Sequence, residues 1–474
     1  MSAFSEYLNI CINQYVEAGK GSKNELITAC QVNRSTFFQC LRGTRLPTKA
    51  LFQTLLEVLR LSSGEEEKLQ QLYYIAQIGE SAYRIQQWVG KCLATLAALS
   101  AEEGTQMYQF AETTYIEPDQ AAIYGEDRIL QELCHLAQVE LSLEEPQIDM
   151  FLPQWNYAFF EYLKRIHYEH DGKPIRLRQL IQIPRKREEK VRTSLAFFHF
   201  ILFFLASGCK RYEAYYYYTD ARSTDVIGVL YPYSVVTSTS VLLINEAMDQ
   251  GVFSTVPEIL EACRKQFEET VRKAKPFLKA FLGYEQMSPV FRGCSNKEER
   301  KYQYFSAPCF GDYLTGKMIE KYCPDERKAL ISNFQSGLEK GPFTVCFCST
   351  KGILDFVQTG MIPDYPQGVI LPLEKEDRKK ILKRMLQQLL KKGGVYLVDE
   401  SKLPVSDGFI LTLSGDRQIL VYRRGLPELR VYQFLEQNLL DAFADYFQAL
   451  TESPFVRPQA ELEQVLWNAI ESCS

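Results

Sequence analysis

A chain of 474 residues, 46% hydrophobic and 24% charged, has room for two to four domains and falls in the soluble globular class. Thirteen scattered cysteines, an odd number, with no basic-then-apolar leader, argue against an exported disulfide framework and for reduced thiols in a cytoplasm. The net charge of -5 excludes a uniformly basic nucleic-acid binder but hides a division: residues 1–60 hold seven Lys/Arg against four Asp/Glu, and residues 61–150 hold four against sixteen.

Residues 2–18 carry Phe4, Leu8, Cys11 and Tyr15 at helical spacing, and Gly19 to Ser22 ends that helix. Its GKGSK is not a phosphate loop, because the first glycine and the Ser/Thr that such a loop needs are missing. From Ser22 to Pro47 two short helical patterns follow, joined by a tight turn. Leu26, Ile27 and Cys30 mark the first, with Val32 in the turn. Asn33 is a good N-cap for the second, whose buried face is Phe37, Cys40 and Leu41. Arg34, Ser35, Thr36, Phe38 and Gln39 are pushed outward, where a helix entering a major groove needs hydrogen-bonding side chains. Thr48 caps a further helix through Leu61 with Leu51, Leu55, Val58 and Leu59 inward, and Ser62 or Ser63 with Glu65 to Glu67 opens the next.

The stretch resembles the Cro/C1-type (XRE) helix-turn-helix family in Leu26, Val32, Asn33, Thr36, Phe37, Arg42-Gly43, Arg45 and Pro47. Gln31 stands where the family usually has glycine, and Ile27 where it usually has alanine. The resemblance covers about the first 75 residues. It implies a five-helix DNA-binding domain over 1–75. In it Arg34, Ser35 and Gln39 would contact bases, while Asn33, Thr36, Arg42, Thr44 and Arg45 would position the DNA backbone. Phe38 lies on the same outward face.

From Leu69 to Leu99 the pattern stays helical, with Gly79 as its weak point, and offers Tyr73, Tyr83, Trp88, Val89, Leu93 and Leu96 for bridging or for pairing in a homodimer. Residues 76–145 are expected as a helical linker, including a helix from Asp127 to Val139. Past Glu145 strands alternate with helices, so the expected class is an all-α head and linker followed by a large α/β or α+β region. Expected strands are Gln147–Leu152, Leu177–Ile183 and Tyr212–Tyr218, with a pair around Pro232 formed by Val226–Tyr233 and Ser234–Ile244. Helices are expected over Trp155–Tyr168, 194–206 and Val256–Leu282.

A similar order returns later: strand Phe343–Ser349, helices Gly352–Thr359 and Glu376–Leu390, strand Gly394–Val398, a hairpin turning at Ser414 to Arg417, and a helix Val431–Leu450. The order allows two similar halves, 146–290 and 300–474, after the linker, with Glu285 to Glu299 between them, although the residue identities do not align and two unrelated α/β pieces often share such an order.

Chemistry is sparse. Thr193 to Cys209 lacks formal charge but is short for a membrane span and is interrupted by His199, so a buried helix is expected. His167, His170 and Asp171 form HYEHD without a third ligand at a recognised spacing, and Cys346 and Cys348 alternate on a strand with Cys309 and Cys323 upstream but no CxxC. No metal, cofactor or catalytic residue is assigned, although Asp220, Asp225 and Asp399 are carboxylates of interest. No nucleophile elbow, HExxH, dinucleotide, kinase or phospholipase-D-like motif is present. Tyr212, Tyr215 to Tyr218, Tyr231 and Tyr233 are dense enough for a ligand pocket. The basic group Arg185, Lys186, Arg187, Lys190 and Arg192 reads as a solvated helix start.

The whole reads as a bacterial, non-enzymatic cytoplasmic transcription regulator: double-stranded operator DNA at the head, a small-molecule or peptide effector at the α/β region, and no membrane. The rival readings are a defence or toxin-associated protein with an enzymatic C-terminal region and an autoregulatory head, and a peptide-pheromone receptor with helical repeats.

Overall fold

The computed structural model describes residues 2–101, 120–152, 159, 162–163, 175–185, 187–207, 211–219, 230–283, 301–324, 328, 344–363, 365, 368–414, 418–423 and 430–473. The chain divides into two compact units, Met1–Gln87 and Trp88–Ser474.

The smaller unit begins with five helices: α1 (Ala3–Glu17), α2 (Lys23–Ala29), α3 (Arg34–Leu41), α4 (Lys49–Leu59) and α5 (Ser63–Ile78). Polar residues in extended conformation fix every start. Ser2, Asn33 and Thr48 accept from amides of the first turn, while Ser22 with Glu25 and Ser62 with Glu65 form reciprocal capping boxes. The core gathers Leu8, Leu26, Phe37, Leu55 and Leu69 around Phe52 stacked on Tyr73 at 3.9 Å. That stack draws Phe52 inward, so α4 buries Phe52 and Leu56 where Leu51 and Val58 were expected; the latter two are half-buried.

The long helix expected over 69–99 breaks at Gly79, whose φ of +86° suits glycine. The second piece, α6 (Glu80–Ala101), contains the boundary between the units. Its Val89, Cys92, Leu93 and Leu96 are buried in the larger unit, so the apolar face offered for pairing with another protomer is occupied by the chain's own core.

The larger unit holds two mixed sheets. The first sheet contains β1 (Gln120–Tyr124), β2 (Gln147–Phe151), β3 (Arg176–Pro184), β4 (Arg211–Thr219), β5 (Tyr233–Val236), β6 (Val241–Ile244), β7 (Gln250–Ser254) and β8 (Lys275–Pro276), in the order β1-β7-β6-β5-β2-β3-β4-β8. Its helices are α7 (Glu126–Leu141), α8 (Arg187–Ser207) and α9 (Pro257–Lys273). The second contains β9 (Leu278–Leu282), β10 (Lys301–Tyr304), β11 (Thr344–Cys348), β12 (Val395–Leu397), β13 (Phe409–Ser414), β14 (Gln418–Arg423) and β15 (Arg430–Phe434), in the order β12-β11-β10-β13-β14-β15-β9. With it come α10 (Gly316–Tyr322), α11 (Thr350–Thr359), α12 (Lys375–Lys392), α13 (Gln437–Leu450) and α14 (Gln459–Ser472).

Reversed, the seven strands of the second order map onto the first seven of the first sheet's eight. β2, β3 and β4 run parallel, as do β10, β11 and β12, and each trio is followed by three antiparallel strands and a closing helix. β1 edges β7 as β9 edges β15, and β8 on β4 has its counterpart in the bridge of Val456 to Val398. The loose repeat of the sequence is thus a repeat of topology.

Several boundaries move. β1 and α7 lie in the stretch expected as linker but belong to the first sheet, and the changeover between halves falls at Phe277, not between 285 and 299, which lies outside the described residues. The helix expected over 256–282 stops at Lys273, because Pro276 lacks an amide and disfavours helix before it. The helix expected from Val431 is first a strand, β15, and becomes helical only after the cap Glu436. The first-half hairpin turns at Thr237 to Ser240, not at Pro232, with Thr237 N–H donating to the Ser240 carbonyl at 2.9 Å.

Candidate nucleic-acid interface

Between α2 and α3 the chain turns within four residues. Cys30 closes α2, Gln31 takes a positive φ of +50°, Val32 N–H donates back to the Ile27 carbonyl at 3.2 Å, and Asn33 Oδ1 accepts from Thr36 N–H at 2.7 Å. Gln31 therefore holds the left-handed conformation that favours glycine.

Phe37, Cys40 and Leu41 anchor α3, all buried as expected from their spacing. The opposite face carries the expected residues: Asn33, Arg34 and Ser35 are exposed, and Thr36, Phe38 and Gln39 are half-buried. The Arg34 guanidinium lies 5.8 Å from the centroid of the Phe38 ring, which meets Phe37 edge-on at 5.8 Å. After the helix Arg42, Thr44 and Arg45 are exposed. Arg42 Nε donates to the Phe38 carbonyl at 3.3 Å and Thr44 Oγ1 to that of Gln39 at 3.2 Å, tying this loop to the last turn.

Three positioning features have no local signal. Asn9 Nδ2 of α1 donates to the Leu41 carbonyl at 2.7 Å, Tyr73 Oη donates to the Pro47 carbonyl at 2.8 Å, and a Cβ on Gly43 (φ +72°) would meet Ser5 Oγ at 2.6 Å. They fix both ends of the segment that bears Arg42 and Arg45. No Asp or Glu occurs between Glu25 and Glu57, whereas Arg34, Arg42, Arg45 and Lys49 do. All four are exposed. Such a surface presents positive charge and hydrogen-bond donors to a polyanion. Burial pushes up the thiol pKa values of Cys11, Cys30 and Cys40, so these are inert core groups.

The other candidates resolve differently. The tyrosines of β4 are spent inside the fold: Tyr212 donates to Gln179 Oε1 at 2.7 Å, Tyr215 to Glu213 at 2.7 Å and Tyr218 to Glu436 at 2.5 Å, and Tyr216 is buried. Tyr233 packs near Phe151, 6.2 Å between rings. Cys346 and Cys348 are buried free thiols on one side of β11, and burial raises the pKa of Cys348. Among the described residues no group of three or more His, Cys, Asp or Glu could hold a metal. His167, His170, Asp171, Asp220, Asp225 and Lys186 lie outside the described residues. Asp399 accepts from Ser401 Oγ at 2.7 Å and pairs with Arg457 at 3.7 Å, a local turn. The apolar run is α8, buried at Leu195, Phe198 and Ile201, and no helix among the described residues is long and apolar enough to cross a membrane.

No family model and no curated protein matches this chain. Among solved structures, a phosphatidylserine synthase of Haemophilus influenzae Rd KW20 is similar at 11% identity and a TM-score of 0.26, over 74% of this chain and 91% of that one. The archaeal chromatin protein TrmBL2, described with a novel mode of DNA binding, is similar at 11% identity and a TM-score of 0.23, over 50% of this chain and 87% of that one. Scores this low do not mark a shared fold.

Proposed function

We propose that this chain is a sequence-specific DNA-binding transcription regulator, in which α3 reads double-stranded operator DNA and the larger α/β unit senses a small-molecule or peptide effector. The observation that carries the reading is the outward face of α3: Arg34, Ser35 and Gln39 stand with Arg42, Thr44 and Arg45 in a segment, 26–56, that contains no Asp or Glu. Side chains of these types supply base-edge contacts and phosphate contacts respectively. Asn33 and Thr36 lie at the start of the helix, where backbone phosphates would meet its first amides.

A DNA reader needs about 75 residues. The remainder is the input, and an effector acts by binding the DNA-competent and DNA-incompetent states with different affinity. A reducing cytoplasm suits the protein, since the eleven described cysteines are thiols and not disulfides. If the regulator is a homodimer, its interface lies elsewhere than on the buried face of α6. Two mixed sheets lend no support to the helical repeats of a pheromone receptor.

The test is a pair of titrations on operator and on random duplex. Arg34→Ala reduces the discrimination between them by about 1–3 kcal/mol, whereas Arg42→Ala weakens both alike. Equal losses on both duplexes for Arg34→Ala would remove it from base reading; no loss on either for both variants would sink the DNA-binding reading.

A further inference from the structure

Phe38 is an anomaly on the face just described. Its ring packs in part against the core of the small unit, yet it stays half-buried on a polar, cation-bearing face, where the open part gains nothing from water, while its neighbour Phe37 is 2% exposed. It is also held in place. Phe37 meets it edge-on at 89°, and the Arg34 guanidinium covers it at 5.8 Å. The cation and the ring are four residues apart and so share one side of α3.

We infer that Arg34 and Phe38 act as one reading unit, Arg34 on a guanine and Phe38 on the 5-methyl group of a nearby thymine. This rests on the DNA-binding reading and deepens it. The chemistry is selective: arginine donates two hydrogen bonds to guanine O6 and N7, and of the four bases only thymine presents a methyl group in the major groove, suited to an apolar side chain. Spacing follows from geometry. Four residues of helix rise about 6 Å, and bases stack about 3.4 Å apart, so the guanine and the thymine fall within two base-pair steps of each other. Ring and guanidinium hold each other in the free protein, which lowers the side-chain entropy lost when both engage DNA.

The experiment uses the full chain to select duplexes from a randomised DNA library. In the enriched duplex each thymine is then replaced in turn by uracil, which lacks only the methyl group. One replacement, within two steps of a required guanine, weakens binding about four-fold, the worth of one buried methyl group at about 0.8 kcal/mol. Phe38→Ser binds the thymine and uracil duplexes alike, Phe38→Leu keeps part of the difference, and Arg34→Ala relaxes the preference for that guanine alone. Uracil tolerated everywhere by the wild-type chain, a methyl effect unchanged in Phe38→Ser, or a guanine more than two steps away overturns the inference while leaving DNA reading intact. A library that enriches no sequence, with Arg42→Ala binding as the wild type does, removes both.

Discussion

The two halves of the larger unit solve one packing problem with opposite chemistry. In each, neighbouring parallel strands present a registered pair of residues to the closing helix. In the first half the pair is Asp149 and Arg178, in register on β2 and β3. Arg178 makes two bonds of 2.6 Å to the Asp149 carboxylate and a third to Glu268 of α9, and lies 5.1 Å above the Phe267 ring. In the second half the pair is Tyr304 and Phe347 on β10 and β11, stacked against Phe447 of α13 at 6.1 and 5.5 Å. Both sites are nearly dry: Asp149 and Arg178 are 2% and 4% exposed, Tyr304 and Phe347 1% and 0%. The same scaffold thus accepts charge or rings, and what it requires is that a buried group be fully matched.

That difference can be broken from either side. Removing Arg178 strands the Asp149 carboxylate in a low-dielectric site, so Arg178→Ala destabilises by about 3–5 kcal/mol, whereas Asp149→Ala leaves Arg178 its bond to Glu268 and costs less. Replacing both, as in Asp149→Leu with Arg178→Met, recovers most of the loss, because the desolvation cost disappears with the charges. Urea unfolding midpoints of the two single variants and the double decide; a double variant as weak as Arg178→Ala would mean that packing and not charge matching governs the site. Phe447→Ala removes the counterpart ring and costs about 3–4 kcal/mol. No partner substitution of similar volume is expected to rescue it cheaply, since a cavity and not an unmatched charge is left.

The crossovers between the second and third parallel strands sharpen the contrast through pH. On α8 of the first half, His199 lies 2.7 Å from Thr95 Oγ1, and burial, with a smaller contribution from Lys91, pushes its pKa down to about 4. On α12 of the second half, burial alone would raise the Asp377 pKa, but Lys380, Tyr322 and Lys321 donate to the carboxylate and bring it to about 2. Both folded values are depressed, so both contributions are present above the unfolded pKa and are lost as pH falls. For His199 the window runs from about 6.5 to 4, where the unfolded chain takes up a proton that the folded chain refuses, a loss of roughly 3 kcal/mol. For Asp377 it opens only below about 4. His199→Gln should flatten the upper part of the acid limb in denaturant titrations, and Asp377→Asn only the part below pH 4. A slope between pH 6.5 and 4 that survives His199→Gln would assign it to other groups.

How much of this could be read beforehand depends on sequence distance. Caps and apolar spacing are local, so Asn33, Thr48 and the buried Phe37, Cys40 and Leu41 were legible, and with them the outward residues of α3. β15 was not, because Leu435, directly after Phe434, falls at helical spacing from Leu439 of α13 and blurs a period of two into one of 3.6. β7 carries Gly251, which weakens a strand signal, although the structure needs it: a Cβ there would meet Ile129 at 2.7 Å. Asn9, 32 residues from Leu41, and Glu268, on a helix far along the chain from Arg178, become partners only when the fold brings them together.

The smallest expected effect tests whether burial, and not ion pairing itself, separates the halves. Lys351 of α11 pairs with Asp407, and their side chains remain 59% and 46% exposed. Water already solvates both charges, so little desolvation is lost or regained and salt screens what attraction remains. Asp407→Asn should therefore shift stability by no more than about 0.5 kcal/mol at physiological ionic strength, and by less in 1 M salt. The Lys351 pKa is raised, chiefly by the hydrogen bond to Asp407. Its contribution thus holds from above the carboxylate range up to the lysine range, where alkali titrates the ammonium, which keeps it out of the pH 6.5 to 4 window attributed to His199. A loss for Asp407→Asn approaching that of Arg178→Ala would show that pairing alone is costly to break on this scaffold, and the distinction between the dry pair of the first half and the wet pair of the second would fall.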